Sequence, residues 1–216
     1  MDKVLNEQNP HWEKTYAANA EHYGVDPSES ARKAVQLFKT EGVNEILELG
    51  AGQGRDTLFF GSTGFRVHAL DYSETGTEAI RRKAQALGLS HCIAATTHDV
   101  RTPLPFPDAS FDACYAHMLF CMAMTSAEIA SLADEVLRVL RPGGICIYTV
   151  RHTDDAHYGT GMHRGEDMYE VGGFIVHFFS RAKVEQLAAQ YADIKISEFE
   201  EGALPRKLFF VSQRKK

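Results

Sequence analysis

The chain has 216 residues, 44% hydrophobic and 24% charged, which is enough for one substantial core and one domain. Its formal net charge is -6, and the basic clusters Arg81-Arg82-Lys83, Arg206-Lys207 and Arg214-Lys215-Lys216 are short and separated, which argues against a nucleic-acid partner. No stretch approaches the about 18 apolar residues that a membrane span needs, and the start "MDKVLNEQNPHWEK" lacks the apolar core of a signal peptide, so no membrane partner is expected. The four cysteines show no CxxC pairing, and three lie in strand-like apolar runs. That suits reduced thiols in a cytoplasmic protein.

Apolar periodicity then alternates between helix and strand. Residues 12–23 and 29–41 read as amphipathic helices, the second opened by "DPSES". Residues 46–49 form a short apolar strand, and a helix begins at Asp56 and runs to about Ser62. The strand 65–71 ends in Asp71; the helix 77–88 stops at a glycine. Strands follow at 91–100 and 111–118, then a helix over 126–140 with apolar residues at Ile129, Leu132, Val136, Leu137 and Leu140. "RPGG" (141–144) ends that helix and turns into the strand 145–150. After an irregular stretch comes "GFIVHFF" (173–179), and Ser180 caps a helix over 181–192. "IKISEF" and "KLFFVSQ" close the chain as strands. This alternation predicts an α/β fold, a doubly wound, mostly parallel sheet with helices on both faces, in a single domain over 1–216.

Ligands of such sheets bind beyond the carboxyl ends of the strands. Gly50, Ala51, Gly52 and Gly54 follow the first core strand, where bare backbone lets a ligand approach closely. Asp71 ends the next strand, placed to accept hydrogen bonds from both hydroxyls of a ribose. A dinucleotide loop of the pattern G-x-G-x-x-G needs glycine where Arg55 stands, and Asp56 in the first helical turn would repel a pyrophosphate. The spacing points to a nucleoside ligand without phosphates. A nicotinamide-dependent oxidoreductase is the rival that shares the strand, the glycines and Asp71.

The stretch "ILELGAGQGRDTLFF" resembles the first motif of class I S-adenosylmethionine (SAM)-dependent methyltransferases, and "VHALDYS" resembles the second. "HDVRTPLPFPDASFDACYAHM" is similar to the third and fourth, and "EVLRVLRPGGICIYTV" to the helix, turn and fifth strand. The likeness spans roughly 12–150, and it is narrower toward the tellurite-resistance and thiopurine type of small-molecule enzyme. It implies a Rossmann-like seven-stranded sheet whose last strand is antiparallel, with SAM as cofactor and S-adenosyl-L-homocysteine as product. It also implies roles. The backbone of Gly50, Ala51, Gly52 and Gly54 would run along the methionine arm and ribose, and Glu48 would reach the amino end directly or through water. Asp71 would hold the ribose hydroxyls, and Tyr72 would lie against adenine. Asp99 would accept from the adenine amino group, with the Val100 amide nearby, and His117 and Met118 would stand beside the sulfonium. Residues 1–43 would cover the cofactor, with Tyr16 and Tyr23 reaching its carboxylate. Arg55 pairs with Asp56 or with that carboxylate.

A small-molecule acceptor is expected, with a soft sulfur, selenium, tellurium or arsenic nucleophile favoured by the narrower resemblance, and a monomer or homodimer as the assembly. The region 151–180 carries His152, His157, His163 and His177 among acids, tyrosines and glycines, and is expected as a substrate lid. His117, His152 and His157 are the candidate catalytic bases. The histidine and carboxylate spacing there matches no compact metal signature, so no metal is expected. A non-catalytic SAM-binding or metal-binding module is the other alternative.

Overall fold

A computed structural model describes residues 5–202 and 206–216. The N-terminal cover expected over 1–43 is therefore seen from Leu5 onward; residues 1–4 lie outside the described residues. Two helices, α1 (Gln8–Ala18) and α2 (Glu29–Thr40), precede β1 (Glu45–Leu49). Then come α3 (Arg55–Ser62), β2 (Arg66–Asp71), α4 (Glu74–Ala86), β3 (Ile93–Thr97) and β4 (Phe111–His117). The helix α5 (Ser126–Val139) leads into β5 (Leu140–Arg151). Three short strands follow, β6 (Met162–His163), β7 (Met168–Val171) and β8 (Phe174–His177). The chain ends with α6 (Arg181–Ala188), β9 (Tyr191–Glu201) and β10 (Arg206–Lys215).

Seven strands form the main sheet in the order β3-β2-β1-β4-β5-β10-β9. The first five run parallel, and β10 is antiparallel to both neighbours. The strand order reverses between β1 and β4, which puts the switch point of the sheet at the end of β1, under the glycine loop. One core face packs Leu47, Leu49, Phe120, Ile129 and Val136; the other packs Phe38, Ile46, Phe60, Ile80 and Tyr115. Strands buried on both faces read as continuous apolar runs, as β1 and β5 do.

Short polar side chains set the helix starts. Ser28, Ser73 and Ser180 each accept a backbone N–H as N-caps, and Thr125 with Glu128 forms a capping box on α5. Several boundaries differ from the periodicity. The first helix runs Gln8–Ala18 rather than 12–23, and α6 ends at Ala188 rather than 192, because Tyr191 enters β9 opposite Lys215. The RPGG segment is part of β5, with an irregularity in its pairing to β4 where Gly143 takes a positive φ. Residues 162–177 fold as a separate three-stranded antiparallel sheet, with only the hairpin strand near 173–179 anticipated. All four cysteines are free thiols.

Candidate active site

The carboxyl ends of β1, β2 and β4 open into a cavity of about 600 Å³. At its floor the glycine loop turns sharply back. Gly50 and Ala51 N–H groups donate to Leu70 O (2.8 and 3.1 Å), and Gly52 N–H donates to Asp71 Oδ2 (2.7 Å). Gly52 has φ 54°, and a Cβ on it would stand 2.9 Å from the Tyr16 hydroxyl. Only glycine therefore leaves room between loop and roof. Gly54 serves differently: it does not line the cavity, and its missing Cβ faces Ile80 at 2.7 Å. It is a packing glycine, which corrects its expected place along the ligand.

Two acids meet the loop. Glu48 is buried, and its Oε2 has no hydrogen-bond partner among the described residues. Burial, with Asp56 close by, pushes its carboxyl well above the usual range. Asp71 is also buried; it accepts Gly52 N–H on one oxygen and Ser73 N–H on the other (2.9 Å). Burial pushes Asp71 up to about 6 against those two donors. Each Asp71 oxygen keeps a lone pair for a further donor.

Asp56 lines the cavity, but its carboxylate is already bound. It is buried at the start of α3, where Ser28 N–H (2.8 Å), Ser28 Oγ (2.7 Å) and Tyr115 Oη (3.0 Å) donate to it. Arg55 Nε lies 3.5 Å from Asp56, and its guanidinium donates to Tyr23 O (3.2 Å). A helix start filled by a bound carboxylate is no place for a pyrophosphate. Asp99, beyond β3, is held by the Arg101 guanidinium, which keeps its carboxyl below the usual range despite partial burial. Tyr72 and Val100 line the same wall.

The roof is the N-terminal segment. Trp12, Tyr16 and Tyr23 line the cavity, with Trp12 stacked obliquely on Tyr16 and Tyr23. Gln53, from the glycine loop, ties the roof down: its amide donates to Tyr16 O and Asn19 O and accepts from His22 N–H. Glu13 accepts the first N–H groups of α4.

The same cavity is lined by His117, Met118, Leu119, Met122 and Met124, with Glu201 and Arg206 from the β9–β10 hairpin, and Leu119 packs against Gly50. Met118 has φ 59°, and its N–H donates to Thr149 Oγ1 (2.9 Å). His117 is fully engaged. Its Nε2 lies 3.1 Å from Glu201 Oε2, and its Nδ1 lies 2.9 Å from both Ser30 Oγ and Thr149 Oγ1.

The histidines of 151–180 lie elsewhere. His152 accepts Asp154 N–H on Nδ1 (2.7 Å) and packs against Phe209. His157 Nδ1 lies 3.3 Å from Arg151, and His163 lies against Glu166 O. Among the described residues that line the cavity, none comes from 151–180. His152 and His157 therefore do not stand where a base would: His152 continues β5, bridged to Phe179 and bonded to Lys207 O, and His157 sits in the turn held by Asp155. The segment's contacts with the site are indirect: Gln8 donates to Gly173 O (3.0 Å) and accepts Ile175 N–H (3.2 Å), and Phe174 packs on Trp12. Among the described residues no three His, Cys, Asp or Glu side chains gather as a metal site.

Sequence reasoning missed Gly54's packing role, Gln53, the Ser28–Ser30–Tyr115 network, Glu201 and Arg206. The doublet Ser28/Ser30 was readable as a cap; nothing local marks Glu201 or Arg206.

The donor set fits SAM: a buried carboxylate lacking a partner for an ammonium, a two-oxygen acceptor for vicinal hydroxyls, and bare backbone between them. A family model described as a methyltransferase domain matches residues 46–144. The malonyl-[acyl-carrier protein] O-methyltransferase of Halorhodospira halophila is 26% identical over 74% of this chain and 57% of that protein. The demethylmenaquinone methyltransferase of Tropheryma whipplei is 32% identical over 52% of this chain and 44% of that protein. The chain thus spans about half the length of the curated relatives it matches. Among solved structures, the 1,6-didemethyltoxoflavin-N1-methyltransferase of Burkholderia thailandensis superposes with a TM-score of 0.76 at 19% identity, covering 100% of this chain and 88% of that one. TehB from Haemophilus influenzae, at 14% identity, superposes with a TM-score of 0.67 over 86% of this chain and 62% of that one. The motifs, the methyltransferase-domain model matched over residues 46–144 and the whole-chain fold agree with one another, and each resembles the class I SAM-dependent methyltransferases.

Proposed function

We propose that the chain methylates a small molecule in the cytoplasm, as a single domain roofed by its N-terminal helices. The observation that carries this is one cavity lined both by Glu48, Asp71 and the glycine backbone and by the methionines, Leu119, Glu201 and Arg206. A cavity of about 600 Å³ lies in the range that takes small ligands.

SAM, when bound, supplies a methyl group on a sulfonium already activated for in-line displacement. In this reading Asp71 accepts from the ribose hydroxyls, Glu48 faces the amino group, and Tyr72 with Val100 borders adenine. Asp99, both of whose oxygens accept from Arg101, would border the adenine amino group. Tyr16, reaching over Gly52, and Tyr23 close the roof, and Met118 presents apolar surface to the methyl. His117 keeps the acceptor end in shape through Glu201, Ser30 and Thr149. The soft nucleophile suggested by the narrower resemblance finds no dedicated cavity residue: no cysteine lines it.

The 151–180 segment acts on this site as a brace for the roof. A panel assay settles the acceptor: radiolabelled methyl from SAM, offered with thiols, hydroxyl compounds, ring N–H compounds and carboxylates. Transfer to none of them, with S-adenosylhomocysteine bound, would favour a non-catalytic SAM-binding role.

A further inference from the structure

Among the described residues four arginine and lysine side chains line the cavity, and three are already paired. Arg101 holds Asp99, Lys83 holds Glu21 at 2.9 Å, and Arg55 sits on Asp56 and Tyr23 O. The fourth is Arg206, the first residue of β10. It is half-buried, and among the described residues no carboxylate or carbonyl oxygen lies within hydrogen-bond or ion-pair distance of its guanidinium. Its cross-strand partner is Glu201, whose Oε2 is committed to His117. A guanidinium that loses water without gaining an acceptor is unfavourable, and its planar fork matches a carboxylate in a bidentate pair.

The surroundings of Arg206 carry a positive field. Glu201 is buried enough to raise its carboxyl, yet His117, Arg55 and Arg206 outweigh the burial and hold it below the usual range. On the roof above, burial and Arg206 push the His22 imidazole down. Glu48 is not remote from this wall: it pairs with Tyr115 across β1 and β4, two residues before His117, and Arg55 acts on both Glu48 and Glu201. The acceptor end also offers no free imidazole: both His117 nitrogens are occupied. An acceptor that arrives already ionised suits such an end better than one that must lose a proton to the protein.

We infer that Arg206 is the anchor for a carboxylate on the methyl acceptor, so that the acceptor class is a small organic carboxylate held between the β9–β10 hairpin and the methionine wall. This rests on the methyltransferase reading of the same cavity. The competing use of Arg206, as a clamp for the carboxylate of the cofactor itself, is separated by the test.

The experiment is calorimetric titration of the full chain, first with S-adenosylhomocysteine, then of the loaded protein with benzoate, phenylacetate and octanoate beside benzyl alcohol, phenylethanol and octanol. At least one carboxylate is expected to bind about tenfold or more tightly than its alcohol. Arg206→Gln should abolish that preference while S-adenosylhomocysteine affinity stays unchanged, and Arg206→Lys, which keeps the charge without the fork, should retain part of it. Equal binding of acids and alcohols, no binding of any acid, or a preference that survives in Arg206→Gln would overturn the anchor. Loss of S-adenosylhomocysteine affinity in Arg206→Gln would overturn it too, by assigning the residue to the cofactor. Failure of the wild type to bind S-adenosylhomocysteine would fall on the cofactor reading, and the acids titrated into unloaded protein would then judge Arg206 alone.

Discussion

Gly52 and Gly54 differ by two residues and by role, so alanine at each separates binding from folding. Both take positive φ, 54° and 86°, a region that costs a residue with a Cβ about 1–2 kcal/mol. At Gly54 the new Cβ would lie 2.7 Å from Ile80 Cγ1, and Ile80 is fully buried. Overpacking a core site adds about 1–3 kcal/mol. Together these come to about 3 kcal/mol, or roughly 10 °C in melting temperature for a chain of this size. At Gly52 the Cβ would meet the Tyr16 hydroxyl at 2.9 Å, on the cavity side of the loop. Tyr16 must tilt and the cradle fills, so the loss falls on the ligand. Gly52→Ala should melt only about 5 °C lower but bind S-adenosylhomocysteine about tenfold or more weakly. Gly54→Ala, assayed well below its melting point, should bind within about twofold of wild type. Thermal denaturation and calorimetry on the two variants decide it. Equal losses of affinity, or full affinity in Gly52→Ala, would refute the division of labour in the loop.

Three further outcomes follow from the same geometry. Only ionised Asp71 accepts from both ribose hydroxyls. With its carboxyl raised to about 6, S-adenosylhomocysteine should bind about tenfold more weakly at pH 5 than at pH 7, releasing a proton below pH 6; calorimetry in buffers of different ionisation enthalpy reads that release, and Asp71→Asn should erase the dependence. The sign for stability is opposite. Because the folded state raises Asp71, its contribution is fully present below the unfolded value near 3.8 and is lost as pH rises through about 6. Tyr115→Phe removes a donor to buried Asp56 and should cost about 1.5–3 kcal/mol in denaturant unfolding. Gln8→Ala breaks both hydrogen bonds between α1 and the small sheet; hydrogen exchange should show faster opening of residues 8–18, with the core strands unchanged.

The sequence carries the cofactor half of this account and little of the acceptor half. Strand β1, the glycine loop and Asp71 form one β-α-β unit, so apolar runs and turn residues locate them, whereas Tyr72, Asp99, Val100, His117 and Met118 come from the family resemblance. Ser180 and the turn DPSES marked two helix starts for the same local reason. The acceptor end is assembled at long range. Glu201 meets His117 across 84 positions, and Ser30 meets it across 87; no period or motif encodes such a pairing. The histidines of 151–180 misled for the converse reason: density along the chain is no guide to where the fold turns its side chains. Tyr191 shows the limit of helical spacing, since pairing with β10 outweighs the continuation of α6.

The central claim is that the β1–β2 crevice holds SAM through Asp71 and bare glycine backbone. The most direct test is calorimetric titration of wild type and Asp71→Ala with S-adenosylhomocysteine, beside NADH, with melting curves to show both proteins folded. Saturable binding of the nucleoside to wild type, none of NADH, and a loss of affinity of about a hundredfold in Asp71→Ala, as for two charge-assisted hydrogen bonds, is the expected result. Tight binding of NADH, or S-adenosylhomocysteine binding that ignores Asp71, would contradict it.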